Sequence, residues 1–192
     1  MYLIKIKTNN KGYNMKKVLV ELNEKEFEMI IAFRQIFMNE NEVIEVDHID
    51  KYNYEEYIGK TVKVIGDVYL GGLGLTKIPI NFTEVGGSFY CCDNKLTSLE
   101  GAPEKVGSDF YCSNNQLTTL EGCPKEVGGG FYCYKNKLTS LVGAPTKVGG
   151  RFACYNNKLT SLEGAPKYVG GSFDCSNNQL DIPTFIGGEF EY

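Results

Sequence analysis

Large apolar side chains return at an interval of 21 residues along most of this chain: Phe89, Phe110, Phe131, Phe152 and Phe173, each followed two positions later by Cys91, Cys112, Cys133, Cys154 and Cys175. The residues between them repeat as well, as in Val148-Gly149-Gly150-Arg151-Phe152-Ala153-Cys154-Tyr155-Asn156-Asn157-Lys158-Leu159-Thr160-Ser161-Leu162-Glu163-Gly164-Ala165-Pro166. A fixed period of this length marks a solenoid, whose units are too small to stand alone and bury their apolar faces by stacking. The four or five sizeable apolar side chains of one unit contribute roughly 8 to 12 kcal/mol on burial. Ordering its backbone costs about 1 to 2 kcal/mol per residue, so stacking must supply the rest.

Alternation within a strand sends Phe and Cys into the coil and their neighbours outward. The asparagines at 94, 115, 136, 157 and 178 are predicted to turn inward and bond backbone groups left unpaired by the turn. Paired glycines such as Gly128-Gly129 predict a turn closed to residues with a Cβ, and the Pro of each G-x-P segment fixes φ on the opposite side. One period before Phe89, Val64, Val68, Leu70, Leu75 and Ile78 fall in the Val, Phe, Cys, Leu and Leu columns, with Leu73 in place of the column Asn. A last, shortened rung reads Ile186-Gly187-Gly188-Glu189-Phe190-Glu191-Tyr192, where Glu189 and Glu191 discourage pairing with another chain. Seven short parallel strands are therefore expected, in a stack about 30 Å long.

The frame F-x-C-x-x-N-x-L-x-x-L-x-G-x-P-x-x-V-G-G resembles a leucine-rich repeat, with Phe and Cys where L-x-L would stand and the Asn and following Leu at their usual offsets. The resemblance covers roughly the last two thirds of the chain. It implies one short parallel strand per repeat on one side of the coil, with turns or 3₁₀ segments on the other. The wording L-T-S-L-E-G-A-P with V-G-G is similar to repeats of bacteriophage and bacterial open reading frames, and more loosely to BspA-type surface repeats. That likeness implies a small phage-encoded binder that seizes a host protein, such as a CRISPR or restriction effector of bacterial immunity. A structural virion or surface-adhesion protein is the alternative.

Residues 1–60 have a different texture and read as an α+β module preceding a solenoid over 61–192. Tyr2–Lys7 and Lys17–Leu22 alternate like strands, with a turn at Asn9-Asn10-Lys11-Gly12. Asn23 and Glu26 start a helix carrying Phe27, Ile30, Ile31, Phe33 and Phe37 and ending near Asn39 to Asn41. Val43–Val46 is a short strand candidate, and a run with Tyr52, Tyr54 and Tyr57 leads into the first rung. The module serves either to cap the solenoid or as an effector whose helix meets a partner. Met15-Lys16-Lys17 resembles a translation start, which would make the first fourteen residues dispensable.

Composition narrows the function classes. With 42% hydrophobic and 23% charged residues there is material for a core. A net charge of −4 with interspersed signs fits neither a nucleic-acid groove nor a nucleic-acid mimic. No apolar run approaches a membrane span and no signal-peptide core opens the chain, so a cytoplasmic location, or host cytoplasm for a phage product, is expected. Five of the seven cysteines share one inward column and read as small packing residues rather than disulfide partners or zinc ligands. Cys123 stands in the column of Ala102, Ala144 and Ala165 and also reads as packing, whereas Cys92 is expected to face solvent and react.

His48, the only histidine, lies within Val46-Asp47-His48-Ile49-Asp50 and is the one candidate general base or metal ligand, against the plainer reading of a surface histidine. No nucleophile motif or P-loop accompanies it, so neither enzymatic activity nor a cofactor is expected.

What remains is the strand face, whose outward columns are Ser88, Asp109, Gly130, Arg151, Ser172; Tyr90, Tyr111, Tyr132, Ala153, Asp174; and Cys92, Ser113, Tyr134, Tyr155, Ser176, with Tyr69 one rung below. Tyrosine is large, stiff and amphipathic, which suits it to protein contact; stacked tyrosines also serve plain cross-strand packing. The partner-binding residues expected are Tyr69, Tyr90, Tyr111, Tyr132, Tyr134, Arg151, Tyr155 and Asp174, the last two rungs being where the repeat pattern is broken. A second copy of the chain is a further possible partner. Glu100, Glu121 and Glu163 with Lys95, Lys137 and Lys158 are assigned to the solvated far side.

Overall fold

The computed structural model describes residues 43–180 together with Lys25. The described residues 43–180 belong to a single compact unit. Lys25 is helical, as the spacing after Asn23 predicts. The other residues of the expected helix, the strands expected at 2–7 and 17–22 and the shortened rung at 186–192 lie outside the described residues.

Residues 43–180 wind into a parallel β-solenoid of thirteen short strands in two sheets. One sheet has seven strands: β1 (Val43–Val46), β2 (Thr61–Val64), β4 (Asn81–Val85), β6 (Lys105–Val106), β8 (Glu126–Val127), β10 (Lys147–Val148) and β12 (Tyr168–Val169). The other has six: β3 (Val68–Tyr69), β5 (Phe89–Tyr90), β7 (Phe110–Tyr111), β9 (Phe131–Tyr132), β11 (Phe152–Ala153) and β13 (Phe173–Asp174). Every pairing is parallel and, from β6 onward, joins residues one period apart, such as Val106 with Val127 and Phe110 with Phe131. Pairing begins at β1, ahead of residue 61, where the repeat becomes readable. The only 3₁₀ segment among the described residues is Tyr54–Tyr57. No helix among them is long and apolar enough to cross a membrane.

Two strands per coil, rather than the one that the repeat frame implies, is the main departure from expectation. The Val column makes its own sheet because Gly-Gly turns the chain by a corner and the residues before it keep the ladder, as in Gly128 N–H to Val106 O at 2.9 Å. Outward from this sheet, Glu84, Lys105, Glu126 and Lys147 alternate in sign across successive rungs, and Lys63 bonds Glu45 at 3.1 Å. Opposite charges directly across parallel strands favour this pairing over like-charged neighbours. Glu100, Glu121, Glu163, Lys95, Lys137 and Lys158 are all exposed, as assigned.

The paired glycines sit at a turn closed to residues with a Cβ, as expected, and the reason is space rather than a left-handed backbone. Neither Gly128 nor Gly129 adopts positive φ. A Cβ on Gly128 would fall on the carbonyl of Gly107 one rung below, so lack of space excludes side chains. The left-handed glycine is that of G-x-P, as at Gly143 with φ 89°.

Inside the coil, Phe89, Phe110, Phe131 and Phe152 are fully buried and stacked with centroids 5.3 to 5.4 Å apart. Cys91, Cys112, Cys133 and Cys154 form a second fully buried row, and Leu96, Leu117, Leu138 and Leu159 a third. The Asn column turns inward as predicted. Asn115 Oδ1 accepts the Leu96 N–H at 2.9 Å, while its Nδ2 donates to the carbonyls of Cys91 and Cys112 at 3.0 and 3.1 Å.

The residue before each column Asn is left-handed: Asp93, Asn114, Lys135, Asn156 and Asn177, with φ between 52° and 56°. Asn and Asp adopt this conformation more readily than lysine does. Lys135→Asn is therefore expected to raise stability by about 0.5 to 1 kcal/mol, seen as a higher urea midpoint; a lowered midpoint would mean the Lys135 side chain contributes more than its backbone costs.

Candidate functional site

The pleat of the six-stranded sheet turns Phe and Cys inward and leaves tyrosine outward in four successive strands. Because the rungs are in register, the four rings meet face to face. Tyr69 and Tyr90 are 4.9 Å apart, Tyr90 and Tyr111 4.7 Å, and Tyr111 and Tyr132 4.5 Å, with planes within 7° of parallel. Tyr134 and Tyr155, one outward column further along the strand direction, form a second stack at 4.5 Å and 6°. The expected diagonal band is thus two stacks offset by a column. Tyr69 is 46% exposed, whereas Tyr90, Tyr111, Tyr132, Tyr134 and Tyr155 are half-buried. Inside each stack the neighbours cover the ring faces, so edges and hydroxyls are what the stacked rings offer outward.

Two aspartates hold the longer stack. The Tyr69 hydroxyl donates to Asp67 Oδ2 at 2.9 Å and the Tyr111 hydroxyl to Asp109 Oδ2 at 3.0 Å. The other oxygen of each carboxylate accepts a backbone N–H of the next rung, Ser88 at 2.7 Å and Gly130 at 2.6 Å. One side chain thereby fastens a phenol and a ladder together. Burial, followed by the bond to Asp109, holds the Tyr111 phenol above its ordinary pKa. Tyr132 leans over Gly130 in the same manner: its hydroxyl oxygen lies 2.6 Å from where a Cβ of residue 130 would stand.

The long stack ends at Ala153, which is 1% exposed. Here Arg151 reaches to the following rung and bonds Asp174, Nη2 to Oδ2, at 2.5 Å. Asp174 Oδ1 accepts the Ser176 hydroxyl at 2.7 Å and the Ser176 N–H at 3.1 Å. The Ser176 hydroxyl first, and then its N–H and Arg151, hold the Asp174 carboxyl below its ordinary value. All eight residues singled out from the sequence thus lie on the six-stranded sheet or immediately beside its strands, in three groups: the four-ring stack, the two-ring stack and the ion pair. Asp67, Asp109 and Gly130 are the positioning residues not singled out, although Asp-x-Tyr at 67–69 and 109–111 is legible as a spacing.

Cys92 departs from expectation. It is half-buried, and burial first, then its contact with Asp93, pushes the thiol up to about 11, so it stays protonated near neutrality. Cys123 packs as expected and donates to the Gly143 carbonyl at 3.0 Å. His48 is exposed, and its carbonyl accepts the Asn53 amide at 3.2 Å. The neighbouring Asp50 carboxylate accepts the Tyr52 N–H at 2.8 Å and shapes the turn into the 3₁₀ segment.

Compared with protein-family models, curated proteins and solved structures, the chain matches none.

Proposed function

We propose that this solenoid is a non-enzymatic binding protein that holds another protein against its tyrosine face. The observation that carries the reading is the pair of tyrosine stacks, held rigid on one sheet before any partner arrives. Binding normally costs about 0.5 to 1.5 kcal/mol for each rotamer-rich side chain it immobilises. Here the stacking and the Asp67 and Asp109 bonds have already ordered the rings. The exposed ring edges and hydroxyls together supply apolar area and hydrogen bonding, the combination that makes tyrosine frequent in protein interfaces. The break at Arg151, Ala153 and Asp174 adds a charged border on one end, which suits register selection more than raw affinity. A host protein of bacterial immunity as the partner, seized by a phage-encoded inhibitor acting in the host cytoplasm, is the narrower form of the reading and rests on the repeat wording alone.

Affinity capture from bacterial lysate tests it, with Tyr111→Ala plus Tyr132→Ala beside the native protein and the captured protein then titrated in purified form. The double variant is expected to keep its circular dichroism while losing about 2 to 4 kcal/mol of binding, as central aromatic hot spots do. Unchanged affinity in a folded variant would remove the tyrosine face from the interface.

A further inference from the structure

The same rings form a reactive array whose chemistry does not depend on whether a partner is held. Four phenols in one column sit 4.5 to 4.9 Å apart with nearly parallel planes, and a fifth and sixth sit 4.5 Å apart beside them. Such neighbours are in van der Waals contact, so radicals on adjacent rungs need only turn their rings to couple. Two of the four hydroxyls point at a carboxylate oxygen, Tyr69 at Asp67 and Tyr111 at Asp109. A phenol loses an electron readily only when its proton has somewhere to go, and these aspartates are that destination. The rings are half-buried or exposed at their edges, which leaves them open to electron transfer with an oxidant in solution.

We propose that the tyrosine ladder is a site of oxidative cross-linking, in which one-electron oxidants join neighbouring rungs through dityrosine bonds. The oxidant class is a high-valent metal species, such as a peroxidase ferryl centre or a photo-oxidised ruthenium complex. Each of two neighbouring phenols gives one electron to the oxidant and its hydroxyl proton to Asp67, Asp109 or water. The two radicals form one carbon–carbon bond between ring positions ortho to oxygen. The ortho hydrogens then move to the phenolic oxygens as aromaticity returns, so each link removes two electrons and two protons in all. Radical character migrates along the stack, so an electron lost at exposed Tyr69 is made good from Tyr90 or Tyr111. The new bond lies in the plane of both rings, so the two rings turn out of the stack to form it, and the product ties together residues one full coil apart.

The test uses the whole chain at low concentration, with tris-bipyridyl ruthenium, persulfate and light as the oxidant. Lys77, Lys95 and Lys125 separate Tyr69, Tyr90, Tyr111 and Tyr132 onto different tryptic peptides, so mass spectrometry assigns each link. The expected products are the linked pairs 69–90, 90–111 and 111–132 within single molecules, with a yield that does not change on dilution. Tyr111→Phe, which keeps the ring and removes the hydroxyl, is expected to lose the second and third links and retain the first. Tyr52, 83% exposed and outside both stacks, is the internal control. Links concentrated on Tyr52, dimers in place of internal links, or oxidation without dityrosine in the ladder would each overturn the proposal. So would a Tyr111→Phe protein whose first link is lost together with the others while its circular dichroism stays native.

Discussion

Raising the pH above about 9 is expected to unfold the solenoid within about one to three pH units, because unfolded cysteine ionises near there and the native column does not. Cys91, Cys112, Cys133 and Cys154 are fully buried. Burial, ahead of all other causes, holds Cys91, Cys112 and Cys133 well above the ordinary thiol value of 9.0 and pushes Cys154 up to about 12. The native state therefore retains protons that the unfolded chain releases. Below about pH 9 this contribution to stability is complete, and it is lost as pH rises toward the native values. Each retained proton removes about 1.4 kcal/mol of stability per pH unit. The four together remove about 5 to 6 kcal/mol per unit, against a total of roughly 5 to 15 kcal/mol for a domain. Cys123, pushed up to about 12 by burial, acts in the same direction. Urea midpoints collected through this range in the presence of a reductant measure the slope. Cys133→Ala should make it shallower by one proton while lowering neutral stability by about 1 to 2 kcal/mol. A stability that stays flat to about pH 11 would mean that the thiols ionise in place, in conflict with their burial.

The repeat was legible because identical columns must meet identical neighbours. Phe110 can only stack between Phe89 and Phe131 if the register is one period, and the amide of Asn115 can only reach Cys91 if the coil closes at that length. The second sheet was not legible for an equally physical reason. Lys105–Val106 and its counterparts are two residues long, too short to show alternation, and their ladder depends on the corner at Gly-Gly. The glycines themselves were recognised, but a sequence cannot distinguish a left-handed turn from a carbonyl lying where a Cβ would be, and Gly128 is the second case. On the outer face, the tyrosine columns were plain, whereas their half-burial and the bridging role of Asp67 and Asp109 follow from rings leaning back two positions along the strand. Nothing in the repeat period encodes that lean. Ala153 reads in sequence as a gap in the column, yet it is buried where Arg151 reaches across to Asp174.

Asn136→Ala is expected to cost about 3 to 6 kcal/mol, because it strands several buried backbone groups at once. Asn136 is 9% exposed. Its Oδ1 accepts the Leu117 N–H from the rung below at 3.0 Å, and its Nδ2 donates to the carbonyls of Cys112 and Cys133 at 3.0 and 3.1 Å. With the Tyr134 carbonyl at 3.4 Å as a third, weaker acceptor, one amide therefore serves one donor and three acceptors, and alanine serves none of them. Aspartate would not rescue the site, since it accepts from Leu117 but has no N–H for the carbonyls and brings a charge into the interior. The comparison that isolates burial is Asn178, which makes the same bonds to Leu159, Cys154 and Cys175 but is only half-buried. Water can take over part of its role, so Asn178→Ala should cost about 1 to 2 kcal/mol. Urea unfolding of both variants decides the matter. Equal losses at the two positions would mean that the amide ladder contributes through stacking of identical side chains and not through the groups it satisfies. The predicted inequality also bears on how the stack unfolds. In a structure held by nearest-neighbour contacts, a central rung weakened by several kcal/mol divides one cooperative unit into two shorter ones, so Asn136→Ala should broaden the unfolding transition as well as shift it.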